Sequence, residues 1–341
     1  MSAAAPKVEY LDLGDTSPPL KQYRAVDLSE LLAHQFPERE HVLSPVLTLG
    51  SLNMLYGWRG LGKTHMSLGI AYAAATGSSF LGWNATRPFK TLLIDGEMPG
   101  ESLQLRLATI AASADSEPEP GFFRVMTIDL CGGWMPDLAT REGQAAVGEE
   151  CDQAEIIIVD NLSCLCRGKA RENDAESWLQ VAEWAMSLRS RGKCVVFVHH
   201  AGKDGNQRGT SKREDILDVV IGLKRPADYS ADQGARFIVN FDKARHLTGK
   251  DTTPFEAWLQ ADERGRNVWT IRETAECTFD QVVELANLGM SQRDIAEELG
   301  INKSNVCRHY AKAVAEGLIE QSRAKGGPKP IVVKPRKDTD D

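Results

Sequence analysis

Residues 52–56 form a short apolar run, followed at once by Gly57, Trp58, Arg59, Gly60, Leu61, Gly62, Lys63 and Thr64, and then by a helical pattern over 63–75. The eight residues fit G-x-x-x-x-G-K-[ST], and a strand before and a helix after are the context that separates a phosphate-cradling loop from a chance match. The chemistry explains the residue types. Glycines let the backbone curl until successive N–H groups point at phosphate oxygens, and the helix that follows adds the positive end of its dipole. In such a loop Lys63 reaches the β- and γ-phosphates and the Thr64 hydroxyl holds Mg²⁺, so ATP with Mg²⁺ is the expected ligand pair. A glycine-rich turn that merely caps a helix would not need both flanks to fit.

The loop also restricts the fold, because a strand–loop–helix unit belongs in an α/β sheet. The rest of the chain agrees. Apolar runs at 52–56, 91–94, 123–128, 156–159, 195–198, 219–223 and 237–240 alternate with helical patterns at 63–75, 102–112, 140–151 and 175–191. Short β-branched runs between helices imply parallel strands covered on both faces. Runs at 256–259 and 268–271 read as a hairpin closing the sheet edge. Residues 1–45 are proline-spotted, with one short helical pattern around Leu28, Leu31 and Leu32, and read as an N-terminal arm. After 274 the pattern is purely helical, in units at 279–288, 291–299 and 303–317 with Gly289 and Gly300 at their ends. The expected domains are therefore an arm (1–45), an α/β nucleotide-binding domain (46–274), a small all-α domain (275–322) and a flexible basic tail (323–341).

A nucleotide site with a metal needs a carboxylate at a neighbouring strand end. Ile156, Ile157, Ile158 and Val159 lead into Asp160, the candidate that binds Mg²⁺ beside Thr64. Hydrolysis also needs a group that activates water. Asn161 follows Asp160, so a second acid does not come from there. The run at 91–94 ends in Asp95, Gly96 and Glu97, which offers two candidates for a general base.

These features together resemble the RecA-like P-loop ATPases, an AAA-family class, and within them the branch of the plasmid replicative helicase RepA and related hexameric DNA helicases. The resemblance rests on 57–64, on Asp95-Gly96-Glu97, on 156–160, on the run 195–198 followed by His199 and His200, and on Lys243-Ala244-Arg245. It spans about residues 46–272 and implies a RecA-like fold. It implies that Glu97 is the general base, on a strand next to the P-loop strand, with Asp95 its competitor. It implies that His199 or His200 sits beside the γ-phosphate and relays its presence to the loop 201–213. Lys203, Arg208, Lys212 and Arg213 in that loop would meet single-stranded DNA phosphates, and Arg208 has a second possible role at the nucleotide. Lys243 and Arg245 alternate on one side of a strand. The resemblance implies that they reach a neighbouring subunit's ATP as an arginine finger does, which requires a homo-oligomer, by analogy a hexamer.

The C-terminal text reads as a helix-turn-helix with the start of a wing at Val314, Gly317, Leu318 and Ile319. Ser291 caps the first helix with Asp294 three residues on, Ile295, Ala296 and Leu299 form its apolar face, and Gly300 permits the turn. Lys303, Ser304, Asn305 and Arg308 would then face DNA base edges and phosphates. Charge supports an anionic partner at this end. The chain carries −8 overall, which argues against a surface that coats nucleic acid throughout, yet 301–337 holds nine Lys/Arg against two Glu. Hydrophobic and charged fractions of 42% and 26% fit a globular protein, and no apolar run approaches a bilayer span. Residues 1–9 lack a signal pattern, and the seven cysteines are scattered without metal spacing, so the expectation is a cytoplasmic protein with no membrane partner. Two functions fit: a DNA-dependent ATPase acting as a helicase, or a nucleotide-switched DNA-binding regulator or loader. A small-molecule kinase fits less well, because no lid or acceptor pocket is recognisable.

Overall fold

A computed structural model describes residues 25–167, 175–202, 215–226 and 228–319. The chain divides into two compact units, Met1–Glu38 and Arg39–Asp341. The first contains helix α1 (Leu28–Ala33), none of whose side chains is buried. The second begins earlier than the expected arm ends. Strand β1 (His41–Leu43) pairs antiparallel with β2 (Leu47–Thr48), and Val42 and Leu43 are fully buried in the core. Two buried apolar residues on a three-residue strand outweigh the prolines that made 39–45 look detached.

Among the described residues the centre is a nine-stranded sheet. Strand β3 (Leu52–Gly57) leads through the glycine loop into α2 (Lys63–Thr76), and a small ribbon, β4 (Ser79–Phe80) with β5 (Trp83–Asn84), follows. Next come β6 (Thr91–Asp95), α3 (Gly100–Ser113) and β7 (Phe123–Thr127). The pattern at 140–151 is two helices, α4 (Arg141–Ala146) and α5 (Gly148–Gln153), broken at Val147 ahead of a glycine that disfavours helix by about 1 kcal/mol. Then follow β8 (Ile156–Asp160), α6 (Leu162–Leu165), α7 (Ala175–Ser190), β9 (Cys194–His200) and β10 (Val219–Lys224). The sheet ends with β11 (Arg236–Ala244), β12 (Phe255–Ala261) and β13 (Asn267–Glu273).

The strand order is β13-β12-β11-β10-β3-β9-β8-β6-β7. From β10 to β7 neighbours are parallel, whereas β10–β11, β11–β12 and β12–β13 are antiparallel. The run at 237–240 is thus not a parallel strand. The link from β10 holds no α-helix among its described residues, and a parallel return needs a crossover of a dozen or more residues, usually a helix. Side chains alternate between two cores. Ile156 and Ile158 face the layer of α2, while Ile157 and Val159 face the layer of α7 with Trp178 and Val181. Both faces are covered, so the strands read as continuous apolar runs.

Beyond the sheet lie α8 (Thr274–Asn287), α9 (Gln292–Glu298) and α10 (Lys303–Ala315). They share a small core of Val282, Ile295 and Val306. The Ser291 side chain caps α9 by accepting from the Asp294 N–H, and Gly300 turns the chain at φ +61°. Val314 lies within α10, and Gly317, Leu318 and Ile319, the expected start of a wing, form a turn after it; residues from 320 onward, including the whole expected tail, lie outside the described residues. Among the described residues no helix is long and apolar enough to cross a membrane.

Candidate functional site

The parallel strands deliver their functional residues to one edge because their registers align. Gly57 is opposite His200, and Asp95 is opposite Asp160. A cavity of about 480 Å³ opens there, lined by Arg59, Gly60, Gly62, Lys63, Thr64 and His65, by Asp95, Glu97 and Asp160, and by His200. Gly60 and Gly62 take φ +71° and +104°, backbone that only glycine enters without strain. At Gly62 a Cβ would also press on the Phe237 ring at 3.1 Å. Trp58 stands exposed at the loop tip, while Leu61 is buried and anchors it.

Lys63 is buried, and its ammonium donates to the carbonyls of Gly57 (3.0 Å) and Trp58 (2.9 Å). Burial lowers its pKa, against the pull of Asp160 and Glu97. Asp160 is 3% exposed and accepts from the Ser67 hydroxyl at 2.9 Å. Burial, then the neighbouring Asp95, pushes its carboxyl up to about 7. A buried acid so disfavoured as an anion suits a divalent cation, which would relieve that cost. Among the described residues no group of three or more His, Cys, Asp or Glu is arranged to hold a metal alone. Mg²⁺ there would be held by Asp160 and the Thr64 hydroxyl together with phosphate oxygens of the nucleotide.

The two acids on β6 are not equivalent. Asp95 is 1% exposed, and one of its oxygens accepts the N–H groups of Glu97 (2.9 Å) and Met98 (2.7 Å), which uses it to shape the turn. Burial raises its pKa. Glu97 has a half-exposed side chain facing the cavity; it accepts a hydrogen bond from the Asn161 amide and lies 3.7 Å from His200 Nε2. Asn161 Nδ2 is also 3.4 Å from that imidazole nitrogen. Glu97 does not come from a strand next to the P-loop strand. β9 and β8 lie between β3 and β6. Its reach comes from the two residues beyond Asp95, which carry it across the end of β8.

The histidine pair is split by strand alternation. His200 lines the cavity; His199, 1% exposed, stands outside that lining. Lys243 and Arg245 also stand outside it. Both tips reach one carbonyl, that of Asp215, at 3.5 Å from Lys243 and 2.6 Å from Arg245, and Arg245 also donates to Leu217 O at 3.1 Å. Lys203, Arg208, Lys212 and Arg213 lie outside the described residues. On α10, Lys303, Ser304 and Arg308 are exposed, and Arg308 donates to Asn305 at 2.7 Å.

Sequence reading missed several residues of the site, Ser67 buried behind the lining and others within it. Ser67 follows Thr64 by one helical turn, a spacing that could have pointed to Asp160. Arg106 on α3 and the stretch with Tyr229, Ala231, Gly234 and Ala235 reach the cavity only through the folded sheet. His65 is held neutral, its pKa lowered to about 4 by burial and by Arg106.

A family model described as an AAA domain matches residues 16–206, more than half of the chain and all of the cavity's P-loop, Glu97, Asp160 and His200. Two solved structures are similar to the chain. The flagellar accessory protein FlaH from Methanocaldococcus jannaschii has 10% identity and a TM-score of 0.45, over 67% of this chain and 93% of that one. The KaiC-like protein PH0186 from Pyrococcus horikoshii OT3 has 14% identity and a TM-score of 0.45, with the same coverage of 67% and 93%. Comparison with curated proteins gives no match.

Proposed function

The chain belongs to the AAA domain family, and we propose that it is a DNA-dependent ATPase of the RepA type, a hexameric cytoplasmic helicase acting in the replication of a mobile element or phage. The observation that carries the ATPase half is the convergence at one sheet edge of Lys63, Thr64, Asp160, Glu97 and His200 around a single cavity. Glycine N–H groups of the loop bind the phosphates, and Lys63 leaves the Gly57 and Trp58 carbonyls for the β/γ oxygens. Thr64 and Asp160 would hold Mg²⁺, which supplies charge neutralisation on the phosphate oxygens. Glu97 accepts the proton of the attacking water, and Asn161 and His200 hold its carboxylate at the cavity wall.

The helicase half rests on the sequence resemblance and on basic residues at 201–213 and 301–337. In this reading Lys243 and Arg245 act across a subunit boundary. Strand displacement with ATP, measured beside ATPase activity with and without single-stranded DNA, tests it. ATPase activity stimulated by DNA together with unwinding is expected; hydrolysis indifferent to DNA with no unwinding would overturn the helicase reading. A second reading is favoured by the exposed Lys303, Ser304 and Arg308 at the N-terminal part of α10, the place where such helices read DNA. It is a nucleotide-switched regulator or loader that binds duplex through α9 and α10 without unwinding.

A further inference from the structure

The wall of the cavity farthest from the P-loop in sequence is the stretch 228–235, and it is tied to two bodies at once. On the sheet side it is clamped by Arg236, only 4% exposed. That guanidinium donates to Gln233 Oε1 at 2.9 Å, to Asp228 at 2.9 and 3.1 Å, and to the buried Glu256 at 3.0 Å. Trp258 lies against the same guanidinium, 5.0 Å from ring centre to Cζ, and donates its indole N–H to the Gln233 carbonyl at 2.9 Å. On the other side Asp228 Oδ1 accepts from the Gln281 amide of α8 at 2.8 Å. One carboxylate oxygen thus joins the nucleotide wall, the sheet and the C-terminal helices. Gln281 adjoins Val282, which is fully buried at the centre of the core shared by α8, α9 and α10.

We infer that Asp228 is a relay through which nucleotide occupancy is read by the C-terminal helices, and through which whatever binds those helices alters nucleotide affinity. A nucleotide that engages Tyr229, Ala231, Gly234 or Ala235 moves a stretch whose ends are held by Arg236 and Gln281. Arg236 resists, because breaking one side of a buried, multiply bonded charge is costly. The displacement therefore falls on the weaker tie, the single amide bond to α8. Coupling of this kind is reciprocal for binding. The relay rests on the nucleotide reading of the cavity but not on DNA as the partner of α10.

The test is hydrogen exchange of the full chain with and without a non-hydrolysable ATP analogue and Mg²⁺, followed in peptides of α2 and of α8. Exchange is expected to slow in α2 and to change in α8. Gln281→Leu, which keeps bulk and removes the bond, should abolish most of the α8 response, leave that of α2, and shift analogue affinity about three-fold, the weight of one hydrogen bond. Arg272→Ala serves as the control. It breaks the ion pair of β13 with Asp280, another tie of α8 that does not involve the wall. It should loosen α8 equally in both states and preserve the nucleotide-linked difference. An α8 response absent from the wild type while α2 is protected, or unchanged in Gln281→Leu, overturns the relay. Absence of protection at α2 itself would overturn the nucleotide reading and the relay with it.

Discussion

Asn161 occupies the place where a second acid would otherwise follow Asp160, and its two ends do different things. Its Oδ1 caps α6 by accepting the Cys164 N–H at 3.2 Å, while its Nδ2 bonds Glu97. Asn161→Asp keeps the cap but sets a like charge beside Glu97, so turnover should fall about ten-fold or more with ATP affinity and melting temperature little changed. Steady-state kinetics beside equilibrium nucleotide binding check this, and unchanged turnover would remove Asn161 from the mechanism. His65 and Asp160 make a second prediction. The folded pKa of His65 is lowered to about 4, so its share of stability is present above the unfolded value near 6.5 and is lost as pH falls through that window. Asp160 is raised to about 7, so its share is present at low pH and is lost as pH rises through 7. Between about pH 4.5 and 6 the two proton balances offset one another. Asp160→Asn removes one of them. Its stability relative to the wild type should then rise with pH in that window, measured by urea titration at several pH values.

Helix α2 carries a glycine, Gly69, in its interior, where alanine would gain about 1 kcal/mol of helix propensity. The structure reverses that expectation. A Cβ at Gly69 would stand 2.1 Å from the Phe80 ring, which is buried and packs edge-on against Trp269. Overpacking costs about 1–3 kcal/mol, so Gly69→Ala should lower the urea midpoint rather than raise it. The same helix illustrates what local sequence can and cannot disclose. Its start, its length and its loop were legible, because glycine spacing and apolar period are local signals. The strand runs were legible too, as was the Ser291 cap. The position of β9 between β3 and β8 was not, since nothing in 194–200 encodes which strand it joins. Glu97 was therefore singled out on a partly mistaken ground: its strand is remote from β3, and only aligned strand ends bring it to the cavity. Arg106 and Tyr229 were missed because their approach to the cavity is a property of packing between elements distant in sequence.

The proposed oligomer makes a claim that no single chain can satisfy. If Lys243 and Arg245 complete a neighbour's site, Glu97→Gln and Arg245→Ala chains, each inactive alone, should regain partial ATPase activity when mixed. No rescue in the mixture would confine these side chains to their own subunit, where they hold the carbonyls of Asp215 and Leu217. Native mass with and without ATP and DNA reports the assembly directly. The sheet order has a further effect, on how the chain is made. The P-loop strand is flanked by β9 and β10, which the ribosome delivers long afterwards. At bacterial and eukaryotic rates of about 5–20 residues per second, the interval from residue 57 to residue 224 is on the order of 10–30 s. Over that interval β3 lacks both partners until residue 200, where β9 ends, and lacks β10 until residue 224, so the loop is left without one or both of its flanking strands. The nascent chain should gain ATP binding abruptly as β10 clears the exit tunnel, so the element that announces the function in the text is among the last to acquire it in the cell.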